Sequence, residues 1–570
     1  MGAAFQPFRL GPVTLRNRVV MPAMTTRLAA ADGSVTDELV AYYEARARGG
    51  AGLITVEMAS PDPGGRHRER EVGVCDDRYV NGLARLVRVL KQHGSAVFVQ
   101  LGHAGSRSPA DVCGGDPVGP SLVTHRVLEK GWHVVRARAL NVREIEMLAD
   151  SFARAAVRAR QAGFDGVEIH AGHGYLLGQF LSPLDNHRTD AYGGSLENRA
   201  RFVLEVLARC RESLGPDFPI VLRITADEFA PGGITLPEAI NVCVWAADAG
   251  ASAIHVSAGS YNSPSPHAMT PPMTSPYGTF VSFAREVKKA VRVPVIAVGR
   301  IHRPELADEI IERGWADLIA VGRALIADPE WPLKAQAGAW EDIRPCLSCN
   351  RCREEMMAGQ IRCSVNPWVG RERGWCPRPA ECARRILVVG GGPAGLELAR
   401  SLALKGHRVE LWERRPELGG QLLLAARAPM FQNVEADEET IRGFVLWLVR
   451  RVRAEGVKVR TGTAGTTANI RAAQPEVVVV ATGARHRFPL WFLLPGLLRS
   501  RIAKNRLVRR LLAHGRVKEL LLRGLRVAQG SRLAGRLRAE GMEVHLVGDS
   551  VVPGDLASAV EGAAQLAVRL

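Results

Sequence analysis

The sequence predicts an α/β protein with an N-terminal (β/α)8 TIM barrel, a short cysteine-rich segment and a C-terminal Rossmann-like domain. Three observations lead to this prediction. Eight short β-branched runs alternate with amphipathic segments over residues 1–340, four cysteines crowd a short polar stretch near residue 350, and a glycine-rich turn follows a strand near residue 390. With 570 residues and 46% hydrophobic content, the chain is long enough to build several independent cores.

The eight predicted barrel strands are short runs of mostly β-branched and apolar residues. They cover residues 19–21, 52–57, 96–101, 166–170, 220–224, 253–257, 295–299 and 318–322. Helix-period stretches such as 142–163 and 195–215 lie between them and end near a glycine, as strand–helix units do. Eight such units predict a closed parallel barrel.

Functional side chains of such barrels lie at the carboxyl ends of the strands. At that edge this sequence places Pro22, Thr25, Gln100, His170, Arg223, the pair Gly299 and Arg300, and the pair Gly322 and Arg323. Two Gly-Arg pairs after the seventh and eighth strands predict a phosphate site, because barrels commonly bind phosphate there. The alternative is that both arginines are ordinary solvated loop residues.

The run "VEIHAGHGYLLGQFLSP" carries a concentrated set of polar groups, with His170, His173 and Tyr175 close together. A His-x-x-His spacing is compatible with a metal, but no third ligand of comparable pattern lies nearby. We therefore favour a pair of hydrogen-bond donors.

Residues 1–340 as a whole resemble the Old Yellow Enzyme family of FMN oxidoreductases, most clearly from Gly163 to Phe202 and in "VGRALIADPEW". The resemblance implies that the side chains at the strand ends contact FMN. Pro22, Thr25, Gln100 and Arg223 are expected at the isoalloxazine ring, and Gly299, Arg300, Gly322 and Arg323 at the phosphate.

The same resemblance implies an ene-reductase site. His170 and His173 would hold a substrate carbonyl oxygen and Tyr175 would protonate the α-carbon, roles that suit two fixed donors and a phenol. One departure is Ser106 in "HAGSR", where relatives often have Arg. Another is Asn262, which stands where a dienoyl-CoA reductase has a catalytic His.

Cys346, Cys349, Cys352 and Cys363 have the spacing C-x2-C-x2-C-x10-C. Structural zinc sites usually use two separated C-x2-C pairs, whereas three closely spaced cysteines and a distant fourth are typical of a cubane 4Fe–4S cluster. The cluster is the favoured interpretation, with zinc or free thiols as alternatives. The other six cysteines have no regular spacing, so we expect no disulfides.

The C-terminal region opens with "VVGGGPAG", in which Gly390, Gly392 and Gly395 stand between a strand and a helix. Glu413 ends the next strand, where a dinucleotide fold has its ribose-binding acid. Later runs, "VVVVATGA" and "VHLVGDS" with Gly548 and Asp549, resemble the remaining FAD signatures of two-dinucleotide flavoproteins. This resemblance implies FAD, or at least its ADP moiety.

A second glycine fingerprint, expected for an NAD(P)H subdomain, is missing from 485–540. That stretch holds fifteen Lys and Arg against two acids, in a chain of net charge +17. It is either a shortened helical cap on the FAD domain or a basic docking face for an electron-transfer protein or a membrane surface. Nucleic acid is not expected, because the stretch has few aromatic residues.

The predicted domains are 1–340 for the FMN barrel, 341–382 for the cluster segment, 383–484 and 541–570 for the FAD domain, and 485–540 for the basic insert. With a cluster between two flavin domains, the chain resembles the branch containing 2,4-dienoyl-CoA reductase and trimethylamine dehydrogenase. The lead hypothesis is an FMN/4Fe–4S/FAD oxidoreductase that reduces an activated C=C bond of an unsaturated carbonyl compound or acyl-CoA.

Two alternatives remain. One is an amine dehydrogenase that passes electrons to an external carrier, and the other is a redox subunit whose C-terminal module only docks a partner. The donor, NADH, NADPH or a protein, is left open. We expect a homo-oligomer in the cytoplasm, with peripheral membrane association as an option and with neither a signal peptide nor a transmembrane helix.

Overall fold

A computed structural model describes residues 2–128, 132–375, 378–486 and 526–570. The chain forms two compact units. The first contains Met1–Pro271, Ser275–Ile343 and Arg353–Ile361, and the second contains Pro272–Thr274, Arg344–Cys352 and Arg362–Leu570. The predicted cluster segment, 341–382, is thus divided between the two units, with all four clustered cysteines in the second.

The first unit is a closed barrel of eight parallel strands, which confirms the predicted fold class. Chain order and spatial order coincide, and the barrel closes where Ile319 pairs with Val19. Every strand residue is buried, as expected when helices cover the outside and side chains fill the inside. The strands are Val19–Met21, Leu53–Ala59, Ala96–Leu101, Gly166–Ala171, Ile220–Thr225, Ala253–Ser257, Val295–Ala297 and Leu318–Ala320.

Helices alternate with these strands, and their ends follow capping chemistry. Asn141 accepts a hydrogen bond from the Glu144 amide while the Glu144 side chain accepts from the Asn141 amide, a reciprocal cap that starts the longest barrel helix. The barrel helices are Asp37–Arg48, Val80–Gln92, Ala110–Cys113, Val142–Gln161, Leu176–Leu181, Leu196–Leu214, Leu236–Asp248, Val281–Ala290, Pro304–Glu312, Arg323–Ala327 and Trp331–Gln336.

An antiparallel hairpin, Phe8–Leu10 with Val13–Leu15, closes the amino-terminal end of the barrel. Leu10 and Leu15 are buried there against the first residues of several barrel strands. Because this end is filled by apolar side chains, functional groups are left to the opposite end. A further small sheet joins Val118–Gly119, Val123–Leu128 and Trp132–Ala139.

The second unit is built on a five-stranded parallel sheet. Its spatial order is Lys458–Arg460, Arg408–Trp412, Arg385–Val389, Val477–Val480 and Glu543–Leu546. The order reverses direction beside Arg385–Val389, which is the switch point where such folds bind nucleotides. The helices are Glu372–Trp375, Pro393–Leu404, Leu422–Ala425, Glu438–Ala454, Thr467–Ala473, Ser531–Ala539 and Leu556–Arg569. Helix Arg351–Ala358 crosses from the second unit into the first.

Both ends of the predicted basic insert belong to the second unit. Ala484–His486 pairs antiparallel with Arg526–Ala528, and helix Ser531–Ala539 buries Ala534 and Leu537 in the core against the sheet. A second small ribbon pairs Met430–Phe431 with Val434–Glu435. The middle of the insert, 487–525, lies outside the described residues. Among the residues described, no helix is long and apolar enough to cross a bilayer.

Candidate active site

His170, His173 and Tyr175 meet at the carboxyl end of the fourth barrel strand. The His170 ring centroid lies 5.0 Å from that of His173 and 5.1 Å from that of Tyr175. His173 sits at a positive φ of 60°, and its amide donates to Thr225 Oγ1 on the next strand. Because this turn follows the strand directly, the side chains of His170, His173 and Tyr175 lie close together.

Burial keeps these three groups in their neutral forms. It lowers the pKa values of His170 and His173 well below the ordinary range, with Arg223 and His255 adding to the effect at both rings. It raises the pKa of Tyr175 well above that of a free phenol. The loop therefore presents two neutral imidazoles and a protonated phenol, which is a set of proton-bearing donors.

The two imidazoles differ in their contacts. His173 Nε2 lies 2.8 Å from Ser257 Oγ, whereas His170 Nδ1 is buried and has no hydrogen-bond partner among the described residues. A buried nitrogen without a hydrogen-bond partner costs free energy, so His170 Nδ1, which lies beside the Tyr175 phenol, is available to bond a ligand.

Two residues that the sequence analysis missed hold the Tyr175 hydroxyl. Tyr175 Oη lies 3.1 Å from His67 Nδ1 and 3.3 Å from Tyr261 Oη. His67 is buried, and burial lowers its pKa well below the ordinary range, whereas Tyr261 is partly exposed. His67 follows the second strand and Tyr261 the sixth, so three loops converge on one hydroxyl group.

Arg107 and Asn262 form another side of this region. Arg107 Nη2 donates to Asn262 Oδ1 at 2.8 Å, and Asn262 Nδ2 donates to Asp185 Oδ2 at 2.7 Å. The Arg107 guanidinium lies over the Tyr261 ring, 5.3 Å from its centroid. Arg107 directly follows Ser106, the position of the family departure, and Asn262 is the second departure noted in the sequence.

Below the histidines, inward-facing positions of four neighbouring strands carry a buried polar network. Gln100 Nε2 donates to Glu168 Oε1 at 2.7 Å, and His255 Nδ1 lies 2.7 Å from Glu168 Oε2. Arg223 Nη1 lies 3.9 Å from Glu168 and donates to the Ala23 carbonyl. Burial disfavours the Glu168 carboxylate, but His255 and Arg223 outweigh it and lower the pKa of Glu168.

Pro22 and Thr25 follow the first strand, as predicted, and a buried carboxyl group lies beside them. The amide of Thr26 donates to Glu57, and Thr26 Oγ1 donates to Glu57 Oε1 at 3.0 Å. Burial raises the pKa of Glu57 to about 8.

The two Gly-Arg pairs follow the seventh and eighth strands. Gly299 has a φ of 118°, and a Cβ there would come within 2.8 Å of the Phe280 amide nitrogen. Arg300 donates to the Ser275 carbonyl and lies over Tyr277, and Arg323 donates to the Pro271 carbonyl at 2.8 Å. Gly322 begins helix Arg323–Ala327, and a Cβ there would come within 3.0 Å of Met24 Sδ. The phosphate assignment of these four residues stays a prediction.

The residues at this edge of the barrel fit FMN in their chemistry. Arg223 Nε is buried without a partner in the described part of the chain, and the neighbouring Gln100 and Glu168 add further buried polar groups at the same end of the barrel. A planar, polar cofactor would supply hydrogen-bond partners to such nitrogens.

In the second unit the glycine turn has the form that a dinucleotide requires. Gly390 has a φ of 120°, and a Cβ at Gly395 would lie 1.9 Å from the Gly390 carbonyl oxygen. Open space surrounds Gly392, the residue from which helix Pro393–Leu404 starts. Close packing at two glycines and free space at the helix N-terminus fit a pyrophosphate.

Glu413 closes the neighbouring strand beside this turn. Its Oε2 accepts from the Gly391 amide at 2.8 Å and its Oε1 from the Arg415 amide at 2.9 Å. Gly548 has a φ of 60°, and Asp549 Oδ1 accepts from the Gly554 amide at 2.8 Å. The motif residues are therefore gathered at one edge of the sheet, and their individual roles stay predictions.

The four clustered cysteines lie within one unit. Cys349 is buried and the other three are partly exposed. Burial together with the nearby Cys346 and Cys349 raises the pKa of Cys363 to about 12. Cys349 Sγ lies 3.3 Å from Ser364 Oγ. Across the described ranges, however, no three His, Cys, Asp or Glu side chains are arranged to hold a metal ion. Four cysteines are the number that a cubane cluster needs, and Cys363 lies near Cys346 and Cys349. The cluster assignment stays a prediction.

Several functional groups could not be found from spacing alone. His67, Arg107, Glu168, His255 and Tyr261 reach the site from different strands and loops. Glu168 was one available signal, because a carboxylate in the middle of a buried barrel strand needs a buried partner.

Comparison with known proteins identifies two domain types. The model of the NADH:flavin oxidoreductase / NADH oxidase family matches residues 3–342. The model of FAD dependent oxidoreductases matches residues 385–483. These ranges cover the barrel and most of the five-stranded sheet described above.

Individual relatives cover most of the chain. An NADH oxidase of Thermoanaerobacter brockii is 42% identical over 84% of this chain and 72% of its own length. A cinnamate reductase of Clostridium sporogenes is 34% identical over 85% of this chain and 74% of its own length. Among solved structures, a complex of 2-naphthoyl-CoA reductase with 2-naphthoyl-CoA covers 100% of this chain and 99% of its own, with a TM-score of 0.90 at 24% identity. That identity supports the fold alone.

Proposed function

Because the chain belongs to the NADH:flavin oxidoreductase / NADH oxidase family, we propose that this flavin-dependent oxidoreductase reduces the activated C=C bond of an α,β-unsaturated carbonyl compound. One observation carries the proposal. The His170 ring centroid lies 5.0 Å from that of His173 and 5.1 Å from that of Tyr175, at the barrel edge where FMN is expected. The relatives named above include a reductase of an unsaturated compound, which is consistent with this chemistry.

The two histidines would bind and polarise the substrate carbonyl oxygen. His170 Nδ1 has no other partner among the described residues, and Ser257 occupies Nε2 of His173, which leaves Nδ1 of both rings for the substrate. Two fixed donors stabilise the negative charge that develops on an enolate oxygen. Neutral imidazoles suit this role, because they donate a hydrogen bond without having to be charged in a buried site.

Tyr175 would supply a proton to the α-carbon. Its raised pKa keeps the phenol protonated at neutral pH, and His67 and Tyr261 hold its oxygen in place.

FMN, held by Gln100, Arg223 and the two Gly-Arg pairs, would supply hydride transfer chemistry when bound. Gly390, Gly392 and Gly395 would hold FAD, and the four cysteines would hold a 4Fe–4S cluster. Iron and sulfide analysis of anaerobically purified protein tests the cluster assignment.

The reaction is tested by anaerobic stopped-flow mixing of the photoreduced holoenzyme with cyclohexenone while flavin absorbance is followed. Tyr175→Phe combined with His170→Ala and His173→Ala should abolish the reoxidation and leave FMN bound. Tyr192→Phe is the matched control, because the Tyr192 hydroxyl bonds Glu205 at 3.0 Å, away from these side chains. Unchanged reoxidation in the triple variant would exclude the proposed site.

The same experiment separates this reaction from amine oxidation. Bleaching of the oxidised flavin by methylated amines, without reoxidation of reduced flavin by enones, would instead identify an amine dehydrogenase. Mixing the oxidised holoenzyme with NADH and with NADPH identifies the donor. If neither bleaches the flavin, a protein donor is required, and the basic residues of 485–540 become the place to test its docking.

A further inference from the structure

Arg107 is a buried cation to which the proposed reaction gives no role. The residue is only 7% exposed, and no described Asp or Glu forms an ion pair with it. Burying a guanidinium that no carboxylate bonds directly is expensive, because the charge loses water, and Asp185 and Glu228 offset this only in part from a longer distance. Burial accordingly lowers the pKa of Arg107.

The existing contacts of Arg107 satisfy only part of its hydrogen-bonding capacity. Nη2 donates to the neutral amide oxygen of Asn262, Nε is buried without a partner among the described residues, and Nη1 makes no hydrogen bond to any of them. The nearest carboxylate in this network, Asp185, bonds the other end of the Asn262 amide. Asn262 thus separates the cation from the anion, and a guanidinium that could bind a carboxylate through two N–H groups uses one of them on an amide.

Arg107 is also correctly placed to contact a substrate. Its guanidinium covers the Tyr261 ring, and Tyr261 Oη is 3.3 Å from Tyr175 Oη. Tyr175 connects this pair to the histidines, because its ring centroid lies 5.1 Å from that of His170 and 5.7 Å from that of Tyr261. A molecule whose carbonyl oxygen is held by His170 and His173 would therefore extend past Tyr175 toward Arg107.

We propose that Arg107 binds a carboxylate that the substrate carries in addition to its conjugated carbonyl group. This inference rests on the proposed function and narrows it to unsaturated oxo acids and unsaturated dicarboxylates, in preference to neutral enones. The other groups facing Arg107 are Asp185, Glu228, Tyr175 and Tyr261. An anionic ligand offsets the cation more directly than any of these, because it can bond Nη1 itself.

The test compares trans-4-oxo-2-pentenoate with its methyl ester, in which one added methyl group removes the charge of the carboxyl group. The wild-type holoenzyme should favour the acid in kcat/KM. Arg107→Met should lower kcat/KM for the acid about 10- to 100-fold, the range of a charge-assisted hydrogen bond, and should lower kcat/KM for the ester by a smaller factor, so that the preference for the acid is lost. Arg107→Lys should retain part of the preference for the acid, because lysine keeps the positive charge but cannot bond a carboxylate through two parallel N–H groups. Arg85→Met, which removes an exposed arginine paired with Asp37, is the charge-loss control.

A binding measurement separates this inference from the proposed reaction. Perturbation of the oxidised flavin spectrum by 4-oxopentanoate and by its methyl ester gives dissociation constants without turnover. Tighter binding of the acid that Arg107→Met removes supports the carboxylate site even if neither unsaturated compound is reduced. Equal dissociation constants of the acid and the ester for the wild-type enzyme overturn the inference. This result does not depend on whether any variant folds. Reduction of both substrates with equal dependence on Arg107 overturns it as well.

Discussion

Glu57 should make the folded protein less stable as the pH rises from 5 to 8. Its pKa is about 8 in the folded protein, against 4.5 for an ordinary glutamate, because burial disfavours the carboxylate. Between these values the folded state keeps a proton that the unfolded chain releases, so stability decreases with increasing pH. The free energy of unfolding falls by about 1.4 kcal/mol per pH unit, or by up to about 4 kcal/mol between pH 5 and pH 8.

The measurement is the thermal midpoint of the holoenzyme and of Glu57→Gln across this pH range. Glutamine cannot ionise, and it retains one oxygen that can accept from Thr26. The wild-type midpoint should therefore fall relative to that of the variant by several degrees, since 1 kcal/mol corresponds to about 2–4 °C in domains of 150–250 residues. Glu71, whose pKa burial also raises, to about 7, acts in both proteins and largely cancels in the difference.

Glu286→Gln serves as the matched control, because Glu286 is on the surface beside Lys289. The thermal midpoint of this variant should change with pH as the wild-type midpoint does from pH 5 to 8. Parallel curves for the wild type and Glu57→Gln would refute the reasoning, because they would mean that Glu57 ionises equally easily in the folded and unfolded states.

Three further predictions concern the site and the cofactors. Tyr175→Phe alone should slow reoxidation of the reduced flavin by an enone about 100-fold while the bound FMN spectrum stays unchanged, and an unaltered rate would exclude Tyr175 as the proton donor. Gly395→Val should lose FAD and keep FMN, because a side chain there would collide with the Gly390 carbonyl oxygen at 1.9 Å; quantified flavins in a 1:1 ratio would contradict this. Cys363→Ser should lower the iron content and the cluster absorbance, whereas Cys113→Ser should not, and equal iron in the two variants would argue against the cluster.

The folds of both domains were accessible from the sequence. Eight buried strands in a barrel read as eight mainly apolar, β-branched runs, because a strand covered on both faces has apolar side chains at most of its positions. The glycine turn at 390–395 was equally readable, because close backbone packing there tolerates no side chain. His170, His173 and Tyr175 could also be grouped in advance, since one short loop carries all three.

The rest of the site depended on the tertiary structure. His67, Arg107 and Tyr261 belong to loops after three different strands, and nothing in their local sequence indicates that they meet around Tyr175. Glu168 and His255 form a buried pair although 87 residues separate them. Barrel closure brings such residues together because every strand ends at the same rim. The types of polar residue at that rim were therefore readable from the sequence. The position of Arg107 at the rim, without an ion pair to any described carboxylate, followed only from the tertiary structure.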